Sequence, residues 1–191
     1  MKILEDRILQ DGTILPGDVL KVDNFLNHQV DPQLMDQLGA EFARRFKNAG
    51  VTKVLTVESS GIAPAVMAAL HLGVPMIFAR KHKSLTLTDH LYTAKVYSYT
   101  KQGNNDISID RRFLSADDNV LIIDDFLANG QAVQGLLDIA ESAQIKVAGV
   151  GVVIEKRFQK GHQLVKDAGL PLVALASIAK FENGSVTFAQ D

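Results

Sequence analysis

The chain has 191 residues and a formal net charge of −2, with acids and bases interspersed, so no basic face points to nucleic acid or to an anionic membrane. It contains no cysteine, which excludes a disulfide scaffold and thiolate-ligated metal. That length suits one domain, 1–191, and Glu5, Asp6 and Arg7 interrupt the N-terminus before any apolar run of signal length, so a soluble cytoplasmic protein is expected.

Ile3, Leu4, Ile8 and Leu9 recur at approximate helical spacing and predict a short first helix ending near Asp11 and Gly12. Residues 16–30 have no clean period and read as a surface connection with a few core anchors. Asp31 and Pro32 then open a helix as N-cap and first-turn proline, with Met35, Leu38, Phe42 and Phe46 as its apolar stripe and Gly50 as its stop. Residues 54–57 form the next predicted strand. It runs into Glu58, Ser59, Ser60 and Gly61, followed by a helix through Ala65, Val66, Ala69 and Leu70. Ser59, Ser60 and Gly61 can offer N–H groups and hydroxyls to an anion at a helix N-terminus, and a serine-capped tight turn is an equal reading.

Gly73 ends that helix, and residues 74–78 read as a strand leading into the basic run Arg80, Lys81, His82 and Lys83 at the same sheet edge. From 84 to 100 helical periodicity is absent. Lys95, Tyr97 and Tyr99 fall on one side of an extended ribbon and Ala94, Val96 and Ser98 on the other. Gly103, Asn104 and Asn105 can turn it into a strand through Ile107 and Ile109. A mobile flap that excludes water is expected, with an ordinary hairpin packed on the core as the alternative.

Residues 120–123 are aliphatic without alternation, as in a strand buried on both faces of a parallel sheet, and Asp124 and Asp125 fall at its carboxyl end. Ligands of open α/β sheets bind at that edge. Ala128, Gly130 and Ala132 carry little side chain, so backbone N–H groups can approach a phosphate ahead of the helix signalled by 133–139. Asp can also stand there only as a helix cap. Residues 147–154 form another buried strand, ending in Glu155, Lys156, Arg157 and Phe158. Lys156 can donate to a heterocycle's carbonyl and Phe158 can stack on its face, or Lys156 can be a lysine at a solvated strand end. Residues 172–178 and 185–188 read as late strands joined by a turn at Glu182, Asn183 and Gly184.

The run from Val120 to Ala132 resembles the phosphoribosyl pyrophosphate (PRPP) motif of type I phosphoribosyltransferases. With Leu20, Asn27, the segment from Glu58 to Pro64, and Ile154-Glu155-Lys156, nearly the whole chain is similar to the xanthine-using branch of that purine family. The resemblance implies an α/β fold with a central, mainly parallel sheet flanked by helices. It adds a small hood from about 12–30 and the C-terminal part, and a mobile flap. It implies a homodimer that uses Mg²⁺ and joins xanthine to PRPP. Asp124 and Asp125 would face the ribose hydroxyls, and Ala128, Asn129, Gly130, Gln131 and Ala132 would hold the 5′-phosphate. Ser59, Ser60, Gly61, Arg80 and Lys81 would meet pyrophosphate, and Leu20, Asn27 and Lys156 would contact xanthine. Many members carry Thr at the place of Asn129 and Ser or Thr at that of Ala132. Some purine members carry an acid at that of Ala128, so no general base is assigned here. Two alternatives stand beside this reading: a same-fold regulator that senses PRPP, and a relative that uses guanine, hypoxanthine or adenine.

Overall fold

Leu4 and Ile8 lie one helical turn apart and are buried, whereas Ile3 and Leu9 stay exposed, so α1 (Lys2–Asp11) has a single narrow apolar stripe. The computed structural model describes residues 1–81, 90–98, 103–182 and 184–189. The stretch expected as a plain connection is more ordered than its pattern indicates. It forms a hairpin of β1 (Thr13–Leu15) and β2 (Val19–Lys21), then one π-helical turn (Asp23–Asn27) that drives Phe25 and Leu26 into the core. Asp31 caps α2 (Pro32–Phe46) by accepting the Leu34 N–H at 3.1 Å. That helix ends at Phe46 rather than at Gly50, which instead takes a left-handed turn before the next strand.

β3 (Lys53–Val57) is followed by α3 (Ile62–Leu72), closed by left-handed Gly73, and by β4 (Met76–Ala79). β5 (Leu91–Ser98) and β6 (Gly103–Asp110) pair antiparallel, so Gly103, Asn104 and Asn105 belong to a strand and not to the expected turn. Ala94 and Val96 are buried while Lys95 and Tyr97 are exposed, which is the anticipated alternation. That buried face packs on the core together with Ile107 and Ile109. The parts of the expected flap at 84–89 and 99–100 lie outside the described residues.

β7 (Asn119–Leu127) runs four residues past Ile123, because Phe126 and Leu127 continue to pair with Ile154 and Glu155 of β8 (Lys146–Lys156). The two carboxylates therefore lie within the strand and not beyond it. α4 (Gln131–Ser142) follows β7, and α5 (Lys160–Asp167), a helix the pattern does not announce, follows β8. β9 (Leu172–Glu182) and β10 (Ser185–Phe188) complete the sheet, whose order is β10-β9-β8-β7-β3-β4. All neighbours are parallel except β10, the antiparallel edge.

Side-chain alternation along β7 serves two cores. Leu121 and Ile123 face the one that holds α1, α2 and α3, and Val120 and Ile122 face the one that holds α4 and the β5–β6 hairpin. The crossover after β3 thus lies on one face of the sheet and that after β7 on the other. Since β3 and β7 are neighbours, a crevice opens between their carboxyl ends.

Candidate active site

At that crevice the turn after β3 meets the carboxylates of β7. A methyl group built on Gly61 would lie 2.4 Å from the Thr56 hydroxyl oxygen and 2.8 Å from Asp124 Oδ1, so only hydrogen leaves room for this approach. The Glu58–Ser59 peptide at this turn is cis. Asp124 is buried, and its Oδ1 accepts the Asp125 N–H at 3.0 Å. Burial pushes the Asp124 carboxyl well above the ordinary range, and the charge of Asp125 pushes it the same way. Asp125 is raised as well, first by burial, against the opposing hydrogen bond with Asp124 and the Phe126 N–H. The Lys81 ammonium favours the charged form of both.

A cleft of about 500 Å³ extends from this junction. Asp124, Lys81, Lys156 and Gln159 line it, together with all five residues of the loop 128–132. Gly130, at φ 79°, is the N-cap of α4, a conformation glycine adopts at no steric cost. The helix N-terminus and its free N–H groups suit an anion. Lys156 enters from the opposite wall. Its ammonium donates to the Asp18 carbonyl at 2.8 Å, in the tip of the β1–β2 hairpin, and lies 5.9 Å from the ring centres of Phe126 and of Phe181. Burial lowers its pKa, while Asp18 acts in the other direction.

The unannounced helix α5 supports both walls. The Gly161 N–H donates to the Ala128 carbonyl at 2.9 Å, which fixes the start of the 128–132 loop. Glu155, buried beside Lys156, accepts from His162 Nδ1–H at 2.5 Å and from the Ser177 hydroxyl at 2.6 Å. The spacing of Glu155 and His162 signals nothing by itself. It is the turn after β8 that folds α5 back onto the strand.

Several anticipated residues lie away from the cleft. Leu20 is buried in the core that holds α1, and Asn27 is exposed at the end of the π-helical turn. Ser59 and Ser60 do not line the cleft, although Gly61 abuts Asp124 behind it. The Lys81 N–H donates to Glu58 Oε1 at 2.6 Å, whereas Arg80 is bridged to Ser108 and lines a separate pocket of about 270 Å³. Phe158 packs edge-to-face on Phe181, with centroids 5.9 Å apart, in place of the expected open stacking face. His82 and Lys83 lie outside the described residues.

The phosphoribosyl transferase domain model matches residues 22–182. The chain is 83% identical to the xanthine phosphoribosyltransferase of Levilactobacillus brevis over 191 residues, the full length of both. It is 65% identical to that of Lactiplantibacillus plantarum, covering all of this chain and 98% of the relative. Among solved structures, adenine phosphoribosyltransferase from Giardia lamblia in complex with 9-deazaadenine superposes with a TM-score of 0.76 at 24% identity, covering 93% of this chain and 98% of that one. The Rhodothermus marinus adenine enzyme gives 0.75 at 22% identity, covering 93% and 100%.

Proposed function

The chain belongs to the phosphoribosyltransferase family, and we propose that within it the protein joins xanthine to PRPP, releasing pyrophosphate and xanthosine 5′-monophosphate. The observation that carries this reading is a single cleft lined by Asp124, a small-residue loop at a helix N-terminus and a half-buried lysine, with Asp125 next to Asp124 along β7. Relatives named for xanthine over their full length favour that base above the other purines, and an enzyme above a sensing regulator.

In this reading the loop 128–132 and the α4 N-terminus hold the 5′-phosphate, and Asp124 and Asp125 hold the ribose hydroxyls. Lys81, which lines the cleft, receives the diphosphate beside the turn at Gly61 that abuts Asp124, whereas Arg80, Ser59 and Ser60 stand off the cleft in this arrangement. As the bond from the anomeric carbon to pyrophosphate breaks, positive charge develops on the ribose, and the purine nitrogen attacks from the opposite face. Catalysis is then positioning and electrostatic stabilisation, with no side chain assigned as general base. Val96, Tyr97, Asn105 and Ile107 of the β5–β6 hairpin line the same cleft and shield one side of it from water. Lys156 addresses the 6-oxo side of the base and Asn27, exposed at the end of the π-helical turn, its 2-oxo side, while Leu20 stays in the core beneath the hood.

Magnesium fits as an ion carried on the diphosphate. Asp124 and Asp125 offer two carboxylates, and the described residues include no group of three or more His, Cys, Asp or Glu able to hold a metal. Magnesium is typically bound by one or two carboxylates plus phosphate oxygens and water. Its chemistry there would be to neutralise the leaving pyrophosphate. We read the protein as cytoplasmic, and no helix among the described residues is long and apolar enough to cross a membrane. We also read it as a homodimer, a second copy covering exposed Val66 and Leu70 of α3 and Phe78 of the edge strand β4.

The test is pyrophosphate release from PRPP and magnesium with xanthine, guanine, hypoxanthine or adenine. Xanthine is expected to give the highest kcat/KM. A preference for another base, or no release with any, would overturn the reading.

A further inference from the structure

Gln159 is the N-cap residue of α5 and lines the same cleft as Lys156, three residues before it. Its backbone N–H donates to the Lys156 carbonyl at 2.9 Å, so one tight turn carries both side chains. Its side chain makes no capping bond to the helix. Its amide oxygen Oε1 is buried and has no hydrogen-bond partner among the described residues. A buried acceptor without a donor costs free energy and is rare in folded proteins. A ligand that brings an N–H or O–H into the cleft removes that cost.

The substrates of the proposed reaction narrow the donor. Ionised phosphate groups only accept. The ribose hydroxyls already have two carboxylate acceptors in Asp124 and Asp125. What remains is an N–H of the base. Lysine is donor only, and the amide oxygen of glutamine is an acceptor. A donor beside an acceptor matches a carbonyl next to an N–H, the lactam edge that 6-oxopurines present at C6 and N1. A 6-aminopurine presents the reverse pattern, an amino donor beside an unprotonated N1.

We propose that Gln159 is a specificity-determining residue, its Oε1 accepting the N1–H of the purine while Lys156 donates to the adjoining 6-oxygen. This rests on the proposed function and extends it from the carbonyl to the whole lactam. Adenine would set its amino group against the Lys156 donor and a bare ring nitrogen against the Gln159 oxygen. Unpaired polar groups of that kind discriminate far more strongly than a change of shape.

The experiment compares wild type, Gln159→Leu and Gln159→Glu in steady-state kinetics with xanthine, 1-methylxanthine and adenine, after circular dichroism and thermal melting show that each variant is folded. Losing one neutral hydrogen bond lowers kcat/KM about three- to tenfold. Gln159→Leu should show that loss with xanthine and an unchanged KM for PRPP. With 1-methylxanthine, which lacks the N1–H, it should show no loss relative to wild type. Gln159→Glu keeps an acceptor and should retain most of the xanthine activity. The proposal is overturned by an unchanged kcat/KM for xanthine in Gln159→Leu, by an equal loss with 1-methylxanthine, or by a loss confined to the KM for PRPP. If the wild type itself prefers adenine, the proposed function falls with it. If the wild type uses xanthine and Gln159→Leu is neutral, only the role of Gln159 falls.

Discussion

Gly61→Ala tests whether the turn after β3 and the carboxylate of β7 act as one unit. Gly61 has helical dihedrals, φ −67° and ψ −17°, where alanine ordinarily stabilises a chain by about 0.4–1 kcal/mol through the unfolded state. Here the added methyl would meet Thr56 Oγ1 at 2.4 Å and Asp124 Oδ1 at 2.8 Å, against an ordinary contact of 3.4 Å or more. Neither neighbour has room to step aside, since both side chains are buried and each is anchored on a sheet strand, Thr56 on β3 and Asp124 on β7. Overpacking of this kind costs about 1–3 kcal/mol, so the sign of the usual glycine-to-alanine effect should reverse to a net loss of about 1–2 kcal/mol. For a chain of this size that lowers the melting temperature by roughly 2–8 °C. Relief requires the turn or the carboxylate to shift, and a displacement near 1 Å can cost about a hundredfold in rate. Thermal melting together with kinetics in which PRPP is varied at saturating xanthine reads both effects. A variant at least as stable as wild type, with unchanged kcat/KM for PRPP, would refute the coupling of turn and carboxylate.

Other expectations follow from the same geometry. Asp124 and Asp125 titrate above the ordinary 3.8 in the folded chain, so the folded state keeps protons that the unfolded state has released. Stability is therefore highest below the unfolded value and declines as pH rises through the folded ones. Asp124→Asn with Asp125→Asn should stay folded, flatten that decline in urea titrations taken at successive pH values, and lose turnover. Near-normal activity would remove the pair from the reaction. Lys156→Ala removes a charged donor worth about 1.5–3 kcal/mol, roughly ten- to hundredfold in kcat/KM for every 6-oxopurine. Asn27→Ala should selectively erode the preference for xanthine over hypoxanthine, and an unchanged ratio would leave Asn27 without a part in base choice. His162→Ala strips Glu155 of one partner and should raise the KM for PRPP through the 128–132 loop, with His162→Gln restoring part of the affinity. An unaltered KM would mean that α5 does not hold the loop.

The sheet was legible because buried parallel strands are near-continuous apolar runs: 120–123 is unbroken, 54–57 is broken only by Thr56 and 147–154 only by two glycines. Helix α2 was legible because Asp31, Pro32 and a clean stripe all agree. Helix α5 was not, since of its eight residues only Gly161 and Val165 are buried and the rest read as a polar linker. The β1–β2 hairpin has strands of three residues, too few for a period of two to stand out. The carboxylate pair and the small-residue loop announce themselves through composition at a strand end. Gln159, Glu155 and His162 do not, because they meet only after β8 turns back through α5, and no local pattern encodes that fold-back. Leu20 and Asn27 came from resemblance alone, and the described cleft does not include them.

The contact between α5 and the loop ahead of α4 is made by backbone against backbone. A methyl on Gly130 would lie 3.0 Å from the Cα of Gly161, and one on Gly161 would lie 2.6 Å from the Ala128 carbonyl oxygen. The closest approach on each side is to backbone, with the Leu164 and Leu127 side chains packed around it, so the spacing has little room to adjust. It also lies at a floor, because no residue is smaller than glycine. A bulkier residue on either side has no compensating change available on the other, and the two positions can drift only if the whole turn after β8 is rebuilt with them.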